Sequence, residues 1–393
     1  MRILHLANHA RDVGNGIVNV MVDLAVAQAA AGHSVTIASA ECGFGELLAG
    51  SGVRHVTLAQ RKPLALPLAV RELRRLTREM APEIVHAHMV SGALVGALAR
   101  RAGGGPYALV TTVHNEFQRS SDLMRLGDRV VAVSGAVAAS MIGRGIPRDK
   151  IRVVRNGTIG SARLARLPAA PNALKALAGP SIVTVSGLYA RKGVLDLIDA
   201  FADVHRAVPG AQLYLVGNGP DRAACVQLAE DLGVSDAVHL PGFARDPRPW
   251  MRAADVFVLA SHSESFPLVL SEAREAGCAI VATAVGGVPE ALGYGAAGLI
   301  VPAQRPRLLG EALSNLLRDR ATLDGWRARA AQDIDWLRVD RVERDYGAIY
   351  TELLAEVRQP QRTPPAQSAQ SAQPAPLPVA GVTEPTKELA RHG

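Results

Sequence analysis

From Arg2 to Val301 the sequence returns to one pattern: a short apolar run, a polar or glycine-containing loop, then a longer amphipathic segment. The runs include 2–8, Ser34–Ala38, Ile84–His88, Leu109–His114, Val130–Ser134 and Ile151–Gly157. After an interruption they resume at Ile182–Ser186, Leu213–Val216, His239–Leu240, Val256–Leu259, Ala279–Val285 and Leu299–Val301. Runs this short, alternating with helical patterns such as Ile17–Ala31 and Val194–Val208, specify βαβ units and therefore parallel sheets covered by helices. The expected class is α/β, with two doubly wound, Rossmann-like domains facing each other across a cleft. Ligands of such sheets bind outside the carboxyl ends of the strands.

The interruption, residues 159–179, is rich in Pro, Ala and Gly and reads as a linker between a first domain (1–158) and a second (180–335). Helical patterns follow at Leu308–Leu317 and Trp326–Val357, of which 336–357 is expected to pack back on the first domain. Residues 358–393 are Pro/Gln/Ala-rich without periodicity and are expected to be disordered, because such a segment buries too little apolar area to offset chain entropy. With 393 residues, 48% of them hydrophobic, the chain can fill two ordinary cores, and with 4% aromatics those cores are mostly Ala, Val and Leu.

A net charge of +7 without a dense Lys/Arg run gives no nucleic-acid footprint. Cys42, Cys225 and Cys278 are scattered, so neither a disulfide framework nor a zinc cluster is suggested and a reducing compartment fits. The opening MRILHLANHARDVG lacks the features of a signal peptide, and no apolar stretch is long enough to span a bilayer. A cytoplasmic protein is expected, peripheral at most to the inner face of the plasma membrane. Arg71, Arg74, Arg75 and Arg78 would form one stripe of a helix with Leu73, Leu76 and Met80 opposite, a face suited to anionic lipid headgroups.

The chemistry concentrates between Asp255 and Glu290. Here a buried strand leads into a polar loop, a helix opening at Pro267, and a second strand. Proline suits a helix start, and the free N–H groups of Leu268 and Val269 with the helix dipole make an anion site. Glu264 and Glu272 bracket this tip, Glu272 lying about 7.5 Å along the axis at 1.5 Å per residue. A ligand with a diphosphate between two polyhydroxyl groups, such as a sugar nucleotide, fits that arrangement. Arg191 and Lys192 follow a strand and supply a pair of adjacent cations, which would offset the charge of a phosphate ligand if aimed at it. Gly14-Asn15-Gly16 and Gly217-Asn218-Gly219 each join a strand to a helix, but Asn19 and Arg222 stand where GxGxxG requires its third glycine, which disfavours a dinucleotide dehydrogenase. His114 ends a strand on the cleft side. His86 and His88 share one strand face, but with no third ligand evident no metal site is expected. Asn156-Gly157 reads as a plain turn.

These residues resemble the retaining GT-B glycosyltransferases of family four. Ser261, Glu264, Phe266, Glu272 and Ala273 stand as S-x-x-E-x-F-x-x-x-x-x-E-A, and seven shorter motifs occur in the order of that family: Gly14-Asn15-Gly16, Gly32-His33-Ser34-Val35, His114, Asn156-Gly157, Arg191-Lys192-Gly193, Gly217-Asn218-Gly219-Pro220 and Pro241-Gly242-Phe243. The resemblance covers about residues 1–350. It implies a GT-B fold and transfer of a sugar from a UDP- or GDP-sugar to a hydroxyl of a glycan or lipid-linked acceptor, with retention of configuration and without cofactor or metal. Cell-envelope polysaccharide or lipopolysaccharide assembly is the implied setting. By the same resemblance Glu264 and His114 lie near the donor sugar, Glu272 holds the ribose hydroxyls, and Arg191 and Lys192 face the diphosphate. Gly14, Gly16, Gly217, Asn218, Phe243, Phe266, Pro267 and Leu268 complete the donor site. One departure is Gly187, which stands where the family commonly has an Arg; Arg191 is the candidate to replace its charge. Two alternatives stay open: an epimerase of the same fold using Asp12 or Glu116 as base, and a two-lobed binding protein without turnover.

Overall fold

The computed structural model of the chain describes residues 1–59, 66–167 and 177–358. The disordered tail expected from 358 lies outside the described residues apart from Arg358, which ends a helix, and so does the middle of the linker. The first lobe begins with β1 (Arg2–Leu6), α1 (Gly16–Ala30), β2 (Ser34–Ser39), α2 (Gly45–Gly50), β3 (Arg54–Thr57) and α3 (Leu66–Met80). It continues through β4 (Ile84–Ala87), α4 (Val90–Arg101), β5 (Ala108–Val113), β6 (Arg129–Ala132), α5 (Gly135–Gly143) and β7 (Ile151–Val153). A single turn, α6 (Ala162–Ala165), precedes the second lobe. That lobe comprises β8 (Ser181–Val185), α7 (Val194–Ala207), β9 (Gln212–Val216), α8 (Arg222–Asp231), β10 (Val238–Gly242), α9 (Arg248–Ala253) and β11 (Val256–Leu259). Then come α10 (Leu268–Ala276), β12 (Ala279–Thr283), α11 (Val288–Ala291), β13 (Leu299–Val301), α12 (Pro306–Arg318), α13 (Arg320–Ala330) and α14 (Val339–Arg358).

Both sheets are parallel throughout, in the orders β3-β2-β1-β4-β5-β6-β7 and β10-β9-β8-β11-β12-β13. In each sheet the strand order reverses beside the first strand, between β1 and β4 and between β8 and β11. A crevice opens where neighbouring crossovers diverge to opposite faces, so each lobe has one natural ligand mouth. Central strands such as Ile84–Ala87 and Ala279–Thr283 are buried along their whole length, which is why the sequence shows continuous apolar runs rather than alternation.

The last helical segment differs from the continuous pattern expected over Trp326–Val357. α13 ends at Ala330, Asp333 takes a left-handed conformation (φ 50°), and a short turn at Asp335–Leu337 precedes α14. The break carries the chain from the second lobe back to the first, where Arg338 pairs with Ile159 in an isolated bridge. Tyr346, Tyr350 and Leu353 of α14 then complete the core around Ile3, Leu24, Ile84 and Val110. Gly157 sits at this crossing. A Cβ there would lie 2.3 Å from the Leu337 carbonyl oxygen, so the Asn156-Gly157 turn is also a packing requirement.

The basic stripe on α3 is weaker than the sequence suggests. Leu73 and Leu76 are buried as expected, but Arg75 is paired with both Glu72 and Glu79, and Arg78 donates to the Gly103 carbonyl. Arg74 is half-buried. No helix of the described residues is long and apolar enough to cross a membrane.

The buried Arg274 ties the second lobe together at the base of α10. Its guanidinium donates to the carbonyls of Ala330 (2.9 Å), Ala291 (3.2 Å) and Gln332 (2.5 Å), and it lies over the Trp336 ring. Arg274→Leu would strand these acceptors, and the expected loss is about 3 kcal/mol of stability, read by urea denaturation. A change below about 0.5 kcal/mol, the usual range for surface substitutions, would show the cluster to be dispensable.

Candidate functional site

The loop after β11 and the helix α10 set the second lobe's face of the cleft. Pro267 is the cap of α10 (φ −76°, ψ 119°) rather than its first helical residue. The consequence expected from the sequence is unchanged, because the N–H groups of Leu268 and Val269 find no acceptor among the described residues. Both glutamates are buried, at 7% exposure for Glu264 and 8% for Glu272. Glu264 accepts from Lys192 Nζ at 2.5 Å and from Ser261 Oγ at 2.8 Å. Its carbonyl accepts from Gly287 N–H at 3.2 Å, and a Cβ on Gly286 would lie 1.6 Å from that same oxygen. Glycine is therefore obligatory at 286, and the backbone of Glu264 is fixed by the loop after β12.

Lys192 comes from the short turn Ala190–Lys192 after β8, capped by Gly193 in the left-handed region (φ 62°). A Cβ at 193 would strike the Ala260 carbonyl oxygen at 2.0 Å. The Arg191 guanidinium donates to the Ser263 carbonyl (3.0 Å) and lies over the rings of Tyr189 and Phe117, the latter on the first lobe. Gly187 has a steric explanation: a Cβ there would come within 2.1 Å of the Tyr189 ring, which fills the space a longer side chain would need. Next to Arg191, His262 is paired with Asp196 (2.8 Å).

Glu272 faces a cluster that sequence reading missed. Burial pushes its pKa up to about 7, against the pull of Arg163 and Arg248 and with the help of Asp23 and Asp246. Arg163 pairs with the buried Asp23, which also accepts from Ser161 Oγ at 2.6 Å. Arg248 pairs with Asp246 at 2.8 Å. Glu272 itself makes no hydrogen bond among the described residues. These partners come from α1, α6 and α9 or its approach, far apart in sequence, and no local spacing announces them.

The first lobe supplies the opposite wall. Asn15 caps α1 by accepting from Ile17 N–H at 3.0 Å. Gly14 faces the exposed ring of Phe243, where a Cβ would sit 3.1 Å from Cε2, and Gly16 faces Leu268 Cδ1 at 3.7 Å by the same measure. Gly14, Gly16, Phe243, Pro267 and Leu268 are thus brought together, with the amino termini of α1 and α10 at the same mouth. Phe266 is placed differently: its ring is buried and edge-on to Trp336, so it supports the loop from behind. The Gly217-Asn218-Gly219 loop also departs from expectation. The N–H of Gly217 is bonded to the Gly242 carbonyl, and Cβ atoms at 217 and 219 would clash with the carbonyls of Ser186 and Leu188 at 1.8 and 2.1 Å. Close backbone packing explains both glycines, and only Asn218 is exposed.

Asp12 and Glu116 span the cleft. Asp12 pairs with Arg245 (2.6 Å), and Glu116 accepts from Ser265 Oγ (2.7 Å). Glu290, unremarked in the sequence, accepts from Ala136 N–H at 3.1 Å and from Arg155 at 2.8 Å, bridging the lobes a third time.

His114 is half-buried beside a cavity of about 260 Å³ that Asn8, Ile17, Ser91, Asn115 and Gln118 help to line. No residue of that lining is Asp, Glu, Lys or Arg. Desolvation pushes the His114 pKa down to about 3, so the ring is neutral at physiological pH. Behind it, His86 and His88 do have a third partner, His5, and the three offer ring nitrogens within 4.8 Å of one another. Every one of those nitrogens is already hydrogen-bonded: His5 to His88 and Gln28, His86 to Thr112 and Tyr350, His88 to His5 and His114. As arranged, the cluster is a hydrogen-bonded core rather than a set of free ligands.

Two family models match the chain: glycosyltransferase family 4 over residues 14–158 and glycosyl transferases group 1 over residues 179–319. A D-inositol 3-phosphate glycosyltransferase of Frankia alni is 31% identical over 283 residues, which cover 63% of this chain and 68% of that one. An exopolysaccharide phosphotransferase of Streptomyces coelicolor is 33% identical over 206 residues, half of this chain but only 22% of that longer protein. Among solved structures, Anabaena HepE in complex with UDP and glucose superposes with a TM-score of 0.75 at 19% identity, covering 89% of this chain and 99% of HepE, a likeness of fold. Both lobes, their facing crevices and these matches agree: the chain is a member of the glycosyl transferases group 1, glycosyltransferase family 4, with the GT-B fold.

Proposed function

We propose that the protein transfers a sugar from a nucleoside-diphosphate sugar to a hydroxyl of a glycan or lipid-linked acceptor, with the anomeric configuration kept. The observation that carries the reading is the convergence of Lys192, Arg191 and two helix amino termini on one mouth that Glu264 and Glu272 flank. A diphosphate at that mouth would meet the Lys192 and Arg191 cations and the two helix amino termini, and that positive charge would matter most as the leaving group departs. Glu272 would hold the ribose diol, while Glu264 and His114 would face the sugar. The acceptor would enter from the first lobe through the uncharged cavity beside His114. The cavity lining carries no carboxylate, and burial makes the His114 ring too weak a base to hold a proton near neutral pH, so an oxygen of the departing diphosphate would take the acceptor proton on the same face as the attack. A UDP- or GDP-sugar fits equally, and envelope polysaccharide or lipopolysaccharide assembly is the proposed setting.

Two observations favour transfer over epimerisation or simple binding. Asp12 and Glu116, the carboxylates an epimerase would use, are engaged across the cleft. The D-inositol 3-phosphate glycosyltransferase matched over 68% of its length is named as a transferase. For a lipid-linked acceptor we further propose contact with an anionic inner membrane surface through the exposed Arg71 and Leu68 of α3. Arg74 and Arg78 would flank that contact, and Arg75 would contribute less because of its two glutamates.

Lys192→Ala should lower kcat by about 10²–10³ while changing donor affinity much less. Steady-state kinetics with release of nucleoside diphosphate reads this, and unchanged turnover would remove Lys192 from the chemistry. A second expectation concerns pH. Burial raises the folded pKa of Glu272 from 4.5 to about 7, so its neutral form stabilises the free protein at low pH and that contribution is lost as pH rises through 7. Ribose hydroxyls favour the carboxylate and pull the pKa back down. Donor binding should therefore release a proton between pH 4.5 and 7, and affinity should climb across that window and then level. Calorimetry in buffers of different ionisation enthalpy would show it. The same slope in Glu272→Gln would assign the proton elsewhere.

A further inference from the structure

A run of buried side chains links the first lobe's wall of the cleft to the helix at the far end of the sequence. His114 Nε2 lies 3.0 Å from His88 Nδ1, and His88 Nε2 lies 2.9 Å from His5 Nδ1. His5 Nε2 lies 2.8 Å from Gln28 Oε1, while the Gln28 amide nitrogen donates to the Tyr350 hydroxyl of α14 at 3.4 Å. His5 and Gln28 are completely buried and His88 is 1% exposed. The polarity of the run follows from one group. A carbonyl oxygen only accepts, so His5 carries its proton on Nε2 and, being neutral, offers Nδ1 as acceptor. His88 must then donate from Nε2 and accept at Nδ1, and His114 must donate from Nε2. Desolvation lowers the pKa values of all three rings, which keeps each one neutral with a single ring proton.

The other side of the loop obeys the same logic. The Tyr350 hydroxyl, accepting from Gln28, donates to His86 Nδ1 at 2.7 Å. His86 Nε2 then donates to Thr112 Oγ1 at 2.7 Å, which is 3.0 Å from the Tyr346 hydroxyl. Every ring nitrogen in the network except His114 Nδ1 has a partner among the described residues.

We infer that Gln28, held by Tyr350, fixes His114 as the Nε2–H tautomer through His5 and His88, so that His114 presents an unprotonated Nδ1 as a hydrogen-bond acceptor to the uncharged cavity. The ligand group that suits this nitrogen is a sugar or polyol hydroxyl, which donates to it; a carbonyl or phosphoryl oxygen, which only accepts, is repelled. His88, His5, Gln28 and Tyr350 are positioning residues, because they act on the substrate only through His114. The inference rests on the proposed function for the identity of the hydroxyl, but not for the tautomer, which belongs to the free protein.

The test separates the two. In protein labelled with ¹⁵N-histidine, long-range ¹H–¹⁵N correlation spectra at neutral pH distinguish protonated from bare ring nitrogens, and His114→Asn assigns the signal. The expected result is a proton on His114 Nε2 and a bare Nδ1. In Gln28→Met, which removes the accepting carbonyl, and in Tyr350→Phe, which frees the amide to turn over, His114 should become a mixture of tautomers. kcat should then fall several-fold with little change in the affinity for nucleoside diphosphate. A His114 protonated on Nδ1 in the unaltered protein overturns the inference, as does a His114 that keeps one tautomer in both variants. Should either variant fail to fold, the spectrum of the unaltered protein still decides. An expected spectrum in a protein that transfers no sugar would sink the proposed function and leave the tautomer standing.

Discussion

A carboxylate taken out of water must be matched by a cation and by hydrogen bonds, or it takes up a proton or forces the fold apart. Glu264 meets that requirement through Lys192 and Ser261, and much of the second lobe's architecture serves this match. Lys192 is delivered by a tight turn that only Gly193 allows, and Glu264 is held in place by a loop that only Gly286 allows. Glycines at these positions are the steric condition for an ion pair that joins the ends of β8 and β11. Those ends flank the point where the strand order reverses, so the pair sits at the crevice the topology opens.

The two buried glutamates are solved differently. Glu264 has its counter-ion at hydrogen-bond distance. Glu272 has arginines nearby but no hydrogen-bond donor among the described residues, and burial leaves its pKa near 7. One carboxylate is tied down by its partners and the other has none among the described residues, a difference set by environment rather than by residue type.

The α/β class and two-lobed plan were legible because buried parallel strands leave short uninterrupted apolar runs, as Ile84–Ala87 and Ala279–Thr283 do. Glu264, Glu272 and the tip of α10 stood out because they fall within one stretch of a few dozen residues, whereas Lys192, 72 residues before Glu264, stood out only through the order of the shorter motifs. What escaped was non-local. The Asp23–Arg163 pair beside Glu272 joins positions 140 residues apart, and Gln28 meets Tyr350 across 322. The displaced role of Phe266 and the break between α13 and α14 escaped for the same reason. A buried ring and a buried ligand contact have the same local pattern, and nothing local marks where a helix must stop to change lobes.

The return of α14 to the first lobe has a bearing on how the molecule comes to be made. Chains emerge from the ribosome amino end first, and domains generally fold as they appear. Here the earliest strands, with Ile3 and Ile84 on their inner face, wait for Tyr346, Tyr350 and Leu353 to close the core above them. The strands of the first lobe are made before the second lobe, and their core is closed only by a helix made after it. Until then this face of the first lobe, with His5 and His86 beneath it, lacks the helix that covers it in the folded protein.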